Sequence, residues 1–265
     1  MSEGQAVVDQ PVRRRVAVVT GASSGIGEAT ARALAARGWL CVLVARREDK
    51  LRALADEIGG EVEVCDVGVR DDVVATAARV LIRHPAINLL VNNAGMPARE
   101  TFLDADLALV ERVLAVNYFG GAWFIHALLP GLKAARNGHV VNVVSIAGAI
   151  AFARSGPYVA SKHALLAFSR CLRPTLRREG IAVHTILPGF VATEGFSQVA
   201  LRRQRRSRWL VTDAATIAGA ILRAIDKNRA EVVVPWFPYR PAIAIHGVAP
   251  GLVRAVERLM PKRRA

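Results

Sequence analysis

The chain has 265 residues, 52% hydrophobic and 22% charged, which is the composition of a folded globular chain rather than a disordered or fibrous one. Its formal charge is +14, unevenly spread: residues 196–265 hold 14 basic and 4 acidic side chains, and residues 1–195 hold 22 and 18. Three cysteines, Cys41, Cys65 and Cys171, cannot pair fully and show no CxxC spacing, which excludes a disulfide framework and favours a reducing, cytoplasmic compartment.

In chain order, residues 1–12 read as a loose tail, because MSEGQAVVDQPVRRR has no apolar segment after its basic residues and no signal peptide is expected. Val16–Val19 is an apolar strand that enters a glycine turn. EATARALAARG is a helix closed at Gly38, WLCVLVA a second strand, REDKLRALADEIGG a helix ending in a glycine pair, and EVEVCDV a third strand. Residues 69–83 are helical, and INLLVNNAG is a fourth strand. Between Arg112 and Lys133 lie 20 residues without an acidic or basic side chain, a length that can span a bilayer. Asn117, Gly120, Gly121, His126 and Pro130 interrupt its hydropathy, so the expectation is a helix buried in an α/β protein. HVVNVVS is a fifth strand, residues 158–179 a helix, and IAVHTILPG a sixth strand. An arginine-rich insert, a helix over DAATIAGAILRAIDKN and a last strand, EVVVP, follow. Seven continuously apolar strands alternating with helices predict a parallel sheet covered on both faces. The expected fold is one three-layer, doubly wound Rossmann-like α/β domain over residues 13–235, extended by residues 236–265.

Thr20-Gly-Ala-Ser-Ser-Gly-Ile-Gly27 stands between the first strand and the first helix. Glycines there let the backbone approach a pyrophosphate, and the helix N-terminus offers free N–H groups and a positive dipole end. The spacing Gly21-x3-Gly25-x-Gly27 departs from GxGxxG, and position after the first strand strengthens the reading.

With the residues downstream, this turn resembles the short-chain dehydrogenase/reductase family of the single-domain type, over roughly residues 14–235. TGASSGIG, with Gly21, Ser23, Ser24, Gly25, Ile26 and Gly27, is similar to the family's cofactor turn. Asp66 and Val67 in Cys65-Asp66-Val67 resemble its adenine-contacting segment, and Asn93, Ala94 and Gly95 its NNAG motif. Pro188-Gly189, Val191 and Thr193 resemble its PGxxxT segment. Asn117, Ser145, Tyr158 and Lys162 match its catalytic tetrad in order and approximate spacing. The resemblance implies an NAD(P)-dependent oxidoreductase acting on CH–OH and C=O groups, and assembly into a homodimer or homotetramer. It also implies that Lys162 binds the nicotinamide ribose and that Asn117 supports a water relaying protons to Lys162. The six histidines show no pairing that suggests a metal site.

The residue types fit carbonyl reduction, which needs a hydride donor, a proton donor and a polariser of the carbonyl oxygen. Tyr158 and Lys162 are four apart, on one helix face. The nearby ammonium is expected to lower the phenol's pKa from its ordinary value near 10, making Tyr158 a general acid for reduction and a base for oxidation. Ser145 ends the fifth strand, at the sheet edge where such folds bind ligands, and its hydroxyl donates to a substrate oxygen.

The second strand ends in Ala45-Arg46-Arg47, where cofactors with a free 2′-hydroxyl usually meet a carboxylate. Two guanidinium groups, with Ser23 and Ser24 nearby, favour NADP(H) over NAD(H), with Arg46 as the expected 2′-phosphate ligand.

After Thr193, residues 190–212 read as a substrate lid, with Arg202, Arg203, Arg205, Arg206 and Arg208 within seven residues. In the extension, Leu252, Val256 and Leu259 share a helical face beside Arg254, Arg258, Lys262, Arg263 and Arg264. These features fit a solvated face, a partner subunit, an anionic carrier or a peripheral membrane contact. They suggest a bulky apolar small-molecule substrate of the lipid, acyl or steroid kind. A non-catalytic NADP-binding sensor or scaffold is the alternative. Nucleic acid is not an expected partner, since aromatics make up only 6% of the chain.

Overall fold

The computed structural model describes residues 14–151, 155–192 and 210–249. Its strands are β1 (Val16–Thr20), β2 (Leu40–Ala45), β3 (Glu61–Val64), β4 (Leu89–Asn92), β5 (His139–Val143), β6 (Ala182–Pro188), β7 (Phe190–Val191), β8 (Val211–Thr212) and β9 (Glu231–Val234). Seven form one parallel sheet, ordered β3-β2-β1-β4-β5-β6-β9, while β7 and β8 pair separately. The direction of strand order reverses between β1 and β4, which opens a crevice at the carboxyl ends of the central strands.

The inner strands of the sheet are covered on both faces, which is why they read as nearly continuous apolar runs, whereas the edge strand β3 alternates Glu61-Val62-Glu63-Val64 with Val64 exposed. Val19, Leu43, Val91 and Val141 point to one side, against α1 (Gly25–Ala35), α2 (Glu48–Ile58) and a later helix, Ala214–Asp226. Val18, Val42, Leu90 and Val140 point to the other, against α3 (Arg70–Arg83) and a long central helix. That central helix is α4 (Leu107–Leu114), a π-turn over Ala115–Phe119, and α5 (Gly120–Ala134). The 28 residues of Leu107–Ala134 are long and apolar enough to cross a membrane by length and composition. In this fold its inner face, including Val113, Asn117, Gly120, Phe124 and Leu128, is buried. A Cβ at Gly120 would lie 2.4 Å from the Val67 carbonyl oxygen, so the close approach of this helix to the sheet edge requires glycine. The remaining helices are α6 (Gly156–Arg177), α7 (Ala214–Asp226) and α8 (Tyr239–Val248).

Three elements carry no readable signal in the sequence. Strands β7 and β8 have two residues each, too few to show a period. Helix α8 is hidden by Pro238, Pro241 and Gly247; Pro241 falls in its first turn, where no N–H is needed.

At the opposite edge of the sheet from the crevice, His184 on β6 is fully buried. Its Nδ1 lies 2.7 Å from the Arg229 carbonyl oxygen and therefore donates, which leaves Nε2 to accept from His139 Nδ1 at 3.0 Å. With Nδ1 donating and Nε2 accepting, the His184 ring is neutral. Burial pushes His184 down to about 4; the charges of His139 and Arg173 add to this, and the Arg229 carbonyl opposes it. An unfolded histidine takes its proton near pH 6.5, so stability is full above that pH and is lost as pH falls from about 6.5 towards 4. Between pH 7 and 5 the loss is roughly 2 kcal/mol. Urea unfolding at both pH values checks this: the midpoint should drop on acidification in the wild type and drop much less in His184→Gln. An equal drop in the two proteins would contradict it.

Candidate active site

A cleft of about 960 Å³ lies at the carboxyl ends of the central strands. Its floor is a stitched pair of strand exits. Thr20 Oγ1 donates to the Val91 carbonyl at 3.2 Å and accepts from the N–H groups of Asn93 (3.0 Å) and Ala94 (3.1 Å). Asn93 Nδ2 donates to the Thr20 carbonyl at 2.9 Å. Gly21 and Gly25 turn the chain with φ of +66° and +60°, a region open to glycine at little cost. A Cβ at Gly21 would sit 2.8 Å from Ala94 Cα, and one at Gly27 2.3 Å from the Gly21 carbonyl oxygen. The turn therefore makes a cradle that side chains would fill, directly before the N-terminus of α1, and this fits a pyrophosphate.

At one end of the cradle, Arg47 reaches back to the turn. Its guanidinium donates to Ser23 Oγ at 3.0 Å and to Ser24 Oγ at 2.7 Å. Arg46, expected from the sequence to be the main 2′-phosphate ligand, is exposed on the same rim, with its charge felt at Asp66. The structure thus offers two cations here, and the one tied to both serines is Arg47.

Asp66 is held on both oxygens. The Gly68 N–H donates to Oδ1 at 2.9 Å, and Arg112, on α4, pairs with Oδ2. Burial works to raise the Asp66 carboxyl, but these hydrogen bonds and the Arg112 and Arg46 charges outweigh it and hold it below the usual carboxylate range. Arg112 also lines the cleft, and nothing in the sequence links it to a carboxylate 46 residues away. Arg112→Leu is expected to release Asp66 and raise the KM of NADPH and NADH alike, by about tenfold, with little change in kcat. Initial rates against cofactor concentration measure this, and an effect on only one of the two cofactors would contradict it.

Helix α6, with Pro157 in its first turn, carries Tyr158 and Lys162 to the same cleft. Ser145, just after β5, is hydrogen-bonded to Tyr158 and accepts from the Ala147 N–H at 3.1 Å. Lys162 is 4% exposed; its Nζ donates to the Val143 carbonyl at 3.2 Å and lies 5.8 Å from the centre of the Tyr158 ring. The expectation that Lys162 lowers the phenol's pKa is not met. Desolvation pushes Tyr158 up to about 12, with the Ser145 hydrogen bond opposing, and pushes Lys162 down to about 8. Both buried groups move towards their neutral forms because the cost of burying charge exceeds their mutual attraction at this separation. At neutral pH Tyr158 is a protonated phenol beside a charged ammonium, which suits it to giving a proton.

Asn117 sits in the π-turn, behind the cleft rather than in its wall. Its Oδ1 accepts from the Met96 N–H at 2.8 Å, and its Nδ2 donates to the Met96 carbonyl (3.0 Å) and to Ser161 Oγ (2.9 Å). Ser161 in turn donates to the Tyr158 carbonyl at 2.7 Å. Asn117 thus ties the segment after Gly95 to the helix turn bearing Tyr158. A Cβ on Gly95 would meet Asn117 Oδ1 at 3.3 Å and Lys162 Nζ at 3.6 Å.

Gly21, Ser23, Ser24, Gly25, Ile26, Arg46, Asp66, Val67, Asn93, Ala94, Gly95, Pro188, Gly189 and Val191 all line the one cleft that holds Ser145, Tyr158 and Lys162. Gly27 is buried beneath it. Thr193 and the arginine cluster lie outside the described residues. Sequence reasoning missed a polar ladder under the site: Asn92 Nδ2 donates to Asn142 Oδ1 (3.0 Å), Asn142 Nδ2 to Ser169 Oγ (3.0 Å), and Ser169 shares a 2.6 Å bond with Thr185. It crosses β4, β5, α6 and β6 and fixes α6 on the sheet.

The sequence profile of the family described as short chain dehydrogenase matches residues 15–204. Dehydrogenase/reductase SDR family member 7B of Mus musculus is 33% identical over 262 residues, spanning 91% of this chain and 79% of its own length. A short chain dehydrogenase/reductase from Burkholderia phymatum, solved in complex with NAD, superposes with a TM-score of 0.79 at 27% identity, covering 90% of this chain and 95% of that one. A metagenomic short-chain oxidoreductase, solved in complex with NADP, gives a TM-score of 0.70 at 33% identity, covering 83% and 96%.

Proposed function

The chain belongs to the short-chain dehydrogenase/reductase family of oxidoreductases, and from that premise we propose that it interconverts a ketone and a secondary alcohol with NADP(H), on a bulky apolar substrate. The observation that carries this reading is the meeting of Ser145, Tyr158 and Lys162 in one cleft with the glycine cradle. NADP(H) bound there supplies the hydride in reduction and takes it up in oxidation. The cradle of Gly21, Gly25 and Gly27 would hold the pyrophosphate, and Arg47 with Ser23 and Ser24, assisted by Arg46, would hold the 2′-phosphate.

Tyr158 keeps its proton at Oη through neutral pH and gives it to the substrate's carbonyl oxygen. The hydrogen bond from Ser145 and the Lys162 ammonium then stabilise the phenolate that remains. Lys162, beside Gly95, would also bind the nicotinamide ribose, as the family resemblance implies. Asn117 acts as a positioning residue, since its amide is engaged by Met96 and Ser161. The substrate end is walled by Val144, Ala147, Met96, Val159 and Phe190, which suits an apolar body around one carbonyl.

Buried thiols at Cys41 and Cys65 suit a reducing, cytoplasmic setting. The outward Phe119, stacked on Trp123 at 5.6 Å, supports a homodimer or homotetramer joined through the central helix. The testing experiment is a ketone screen that includes long-chain 3-oxoacyl thioesters and ketosteroids, with NADPH or NADH oxidation followed optically. Turnover of bulky apolar ketones, faster with NADPH, is the expected result. Preference for NADH, or for small polar ketones, would overturn the corresponding part.

A further inference from the structure

We propose that Trp236, Phe237 and the outer side of α8 form a docking patch for an anionic lipid surface. After β9 the chain runs Pro235-Trp236-Phe237-Pro238 into α8. Trp236 and Phe237 are 64% and 63% exposed, Ile245 is 46% exposed and Val248 88% exposed. The outward aim of these side chains is fixed from the inside. Tyr239 is 6% exposed, its hydroxyl donates to the Leu210 carbonyl at 2.9 Å, and its ring meets Phe190 edge-on at 6.3 Å. A Cβ on Gly189 would lie 2.1 Å from that ring, so Gly189 is the seat on which α8 rests. Gly189 and Phe190 line the active-site cleft, so the patch is anchored to the cleft's own wall.

Helical spacing gathers the exposed apolar groups on one side. Within α8, Ala244, Ile245 and Val248 share one exposed side, and Trp236 and Phe237 stand exposed just before its first turn. Two large exposed aromatics next to an apolar helix face are costly to leave in water, and Trp suits the boundary between headgroups and acyl chains. The following sequence supplies the charge. Residues 250–265 hold Arg254, Arg258, Lys262, Arg263 and Arg264 against the single acidic Glu257, with Leu252, Val256 and Leu259 at helical spacing. Apolar and aromatic groups that continue directly into a cationic amphipathic segment match an anionic bilayer surface in both chemistry and charge. The uncharged stretch over residues 241–253 is too short to span, so the contact is peripheral. A surface-bound protein whose cleft wall carries the docking patch takes an apolar ketone from the bilayer. This last consequence rests on the proposed substrate class; the docking itself does not.

The test is flotation of the full chain with phosphatidylcholine vesicles, with and without phosphatidylglycerol. The chain should float with the anionic vesicles and at least about tenfold less with the neutral ones, and raised salt should weaken the binding. Trp236→Ser/Phe237→Ser should lose flotation by a similar factor while reduction of a water-soluble ketone is unchanged. Should that variant fail to fold, replacement of the five basic residues of the tail by Gln takes its place, with the same expected loss. Absence of flotation of the wild-type chain, or variants that float as well as wild type, would overturn the proposal. So would a Trp236→Ser/Phe237→Ser variant whose main change is loss of a dimer in sedimentation, because the patch would then face a second copy. Ketone reduction, read separately in solution, reports on the enzymatic reading.

Discussion

Replacing Tyr158 with phenylalanine is expected to lower ketone reduction about a thousandfold, within the range for loss of a positioned general acid. The ring stays, so the packing of α6 is kept; what goes is the proton at Oη and the hydrogen bond shared with Ser145. NADPH affinity, read by fluorescence titration, should change less than about threefold, since the glycine cradle and Arg47 do not depend on the hydroxyl. The size of the effect follows from burial. A phenol pushed up to about 12 is a strong holder of its proton and yields it only where the resulting phenolate is stabilised, which the Lys162 ammonium and Ser145 provide. A variant that binds NADPH and retains wild-type turnover would remove Tyr158 from the mechanism. A wild-type protein that binds NADPH and reduces nothing across a broad panel would favour a cofactor-sensing role instead.

The second large effect is expected at the rim of the cradle. Arg47→Glu should raise the KM for NADPH about a hundredfold and leave the KM for NADH within a few-fold. Loss of a charge-assisted contact costs about 1.5–3 kcal/mol, and the introduced carboxylate adds repulsion to a phosphate. Arg47 is the side chain that already spans Ser23 and Ser24, so its replacement removes the charge and unties both hydroxyls. Arg46→Asp should act in the same direction but more weakly, because Arg46 is exposed. Equal changes for the two cofactors would contradict 2′-phosphate recognition at this rim.

Most of the sheet strands were legible because a strand covered on both faces leaves a nearly continuous apolar run, as Val16–Val19 and residues 39–45 do; β5 keeps the buried Asn142 within its run, and the edge strand β3 alternates. The glycine turn was legible because Gly21 and Gly27 sit where a Cβ would clash and Gly25 takes a positive φ. Tyr158 and Lys162 were legible through helical spacing, but their electrostatics were not. A charge pair four residues apart suggests a lowered phenol pKa, whereas the outcome depends on desolvation, which only the folded surroundings set.

The same holds for contacts between distant segments. The pairing of Arg112 with Asp66 and the hydrogen bond between His139 and His184 join residues 46 and 45 positions apart, and no local pattern marks either one. Helix α8 stayed hidden behind its prolines, although Tyr239, buried against Gly189, is what fixes it to the cleft wall. The side-chain contacts of Asn117 were hidden for a related reason. Its place in the π-turn directs the amide to Met96 and Ser161, a partner set visible only in the fold.

In the proposed mechanism a buried, protonated Tyr158 delivers the proton while Lys162 carries the charge that makes this delivery possible. The most direct measurement is the pH dependence of kcat/KM for ketone reduction at saturating NADPH, which reports the ionisations of the NADPH-loaded enzyme before the ketone binds. Lys162 is cationic below about 8 and neutral above it, and Tyr158 keeps its proton to about 12. A plateau through neutral pH and a fall of about tenfold per unit once pH passes about 8 are expected. A rate that climbs through that same range would contradict this mechanism.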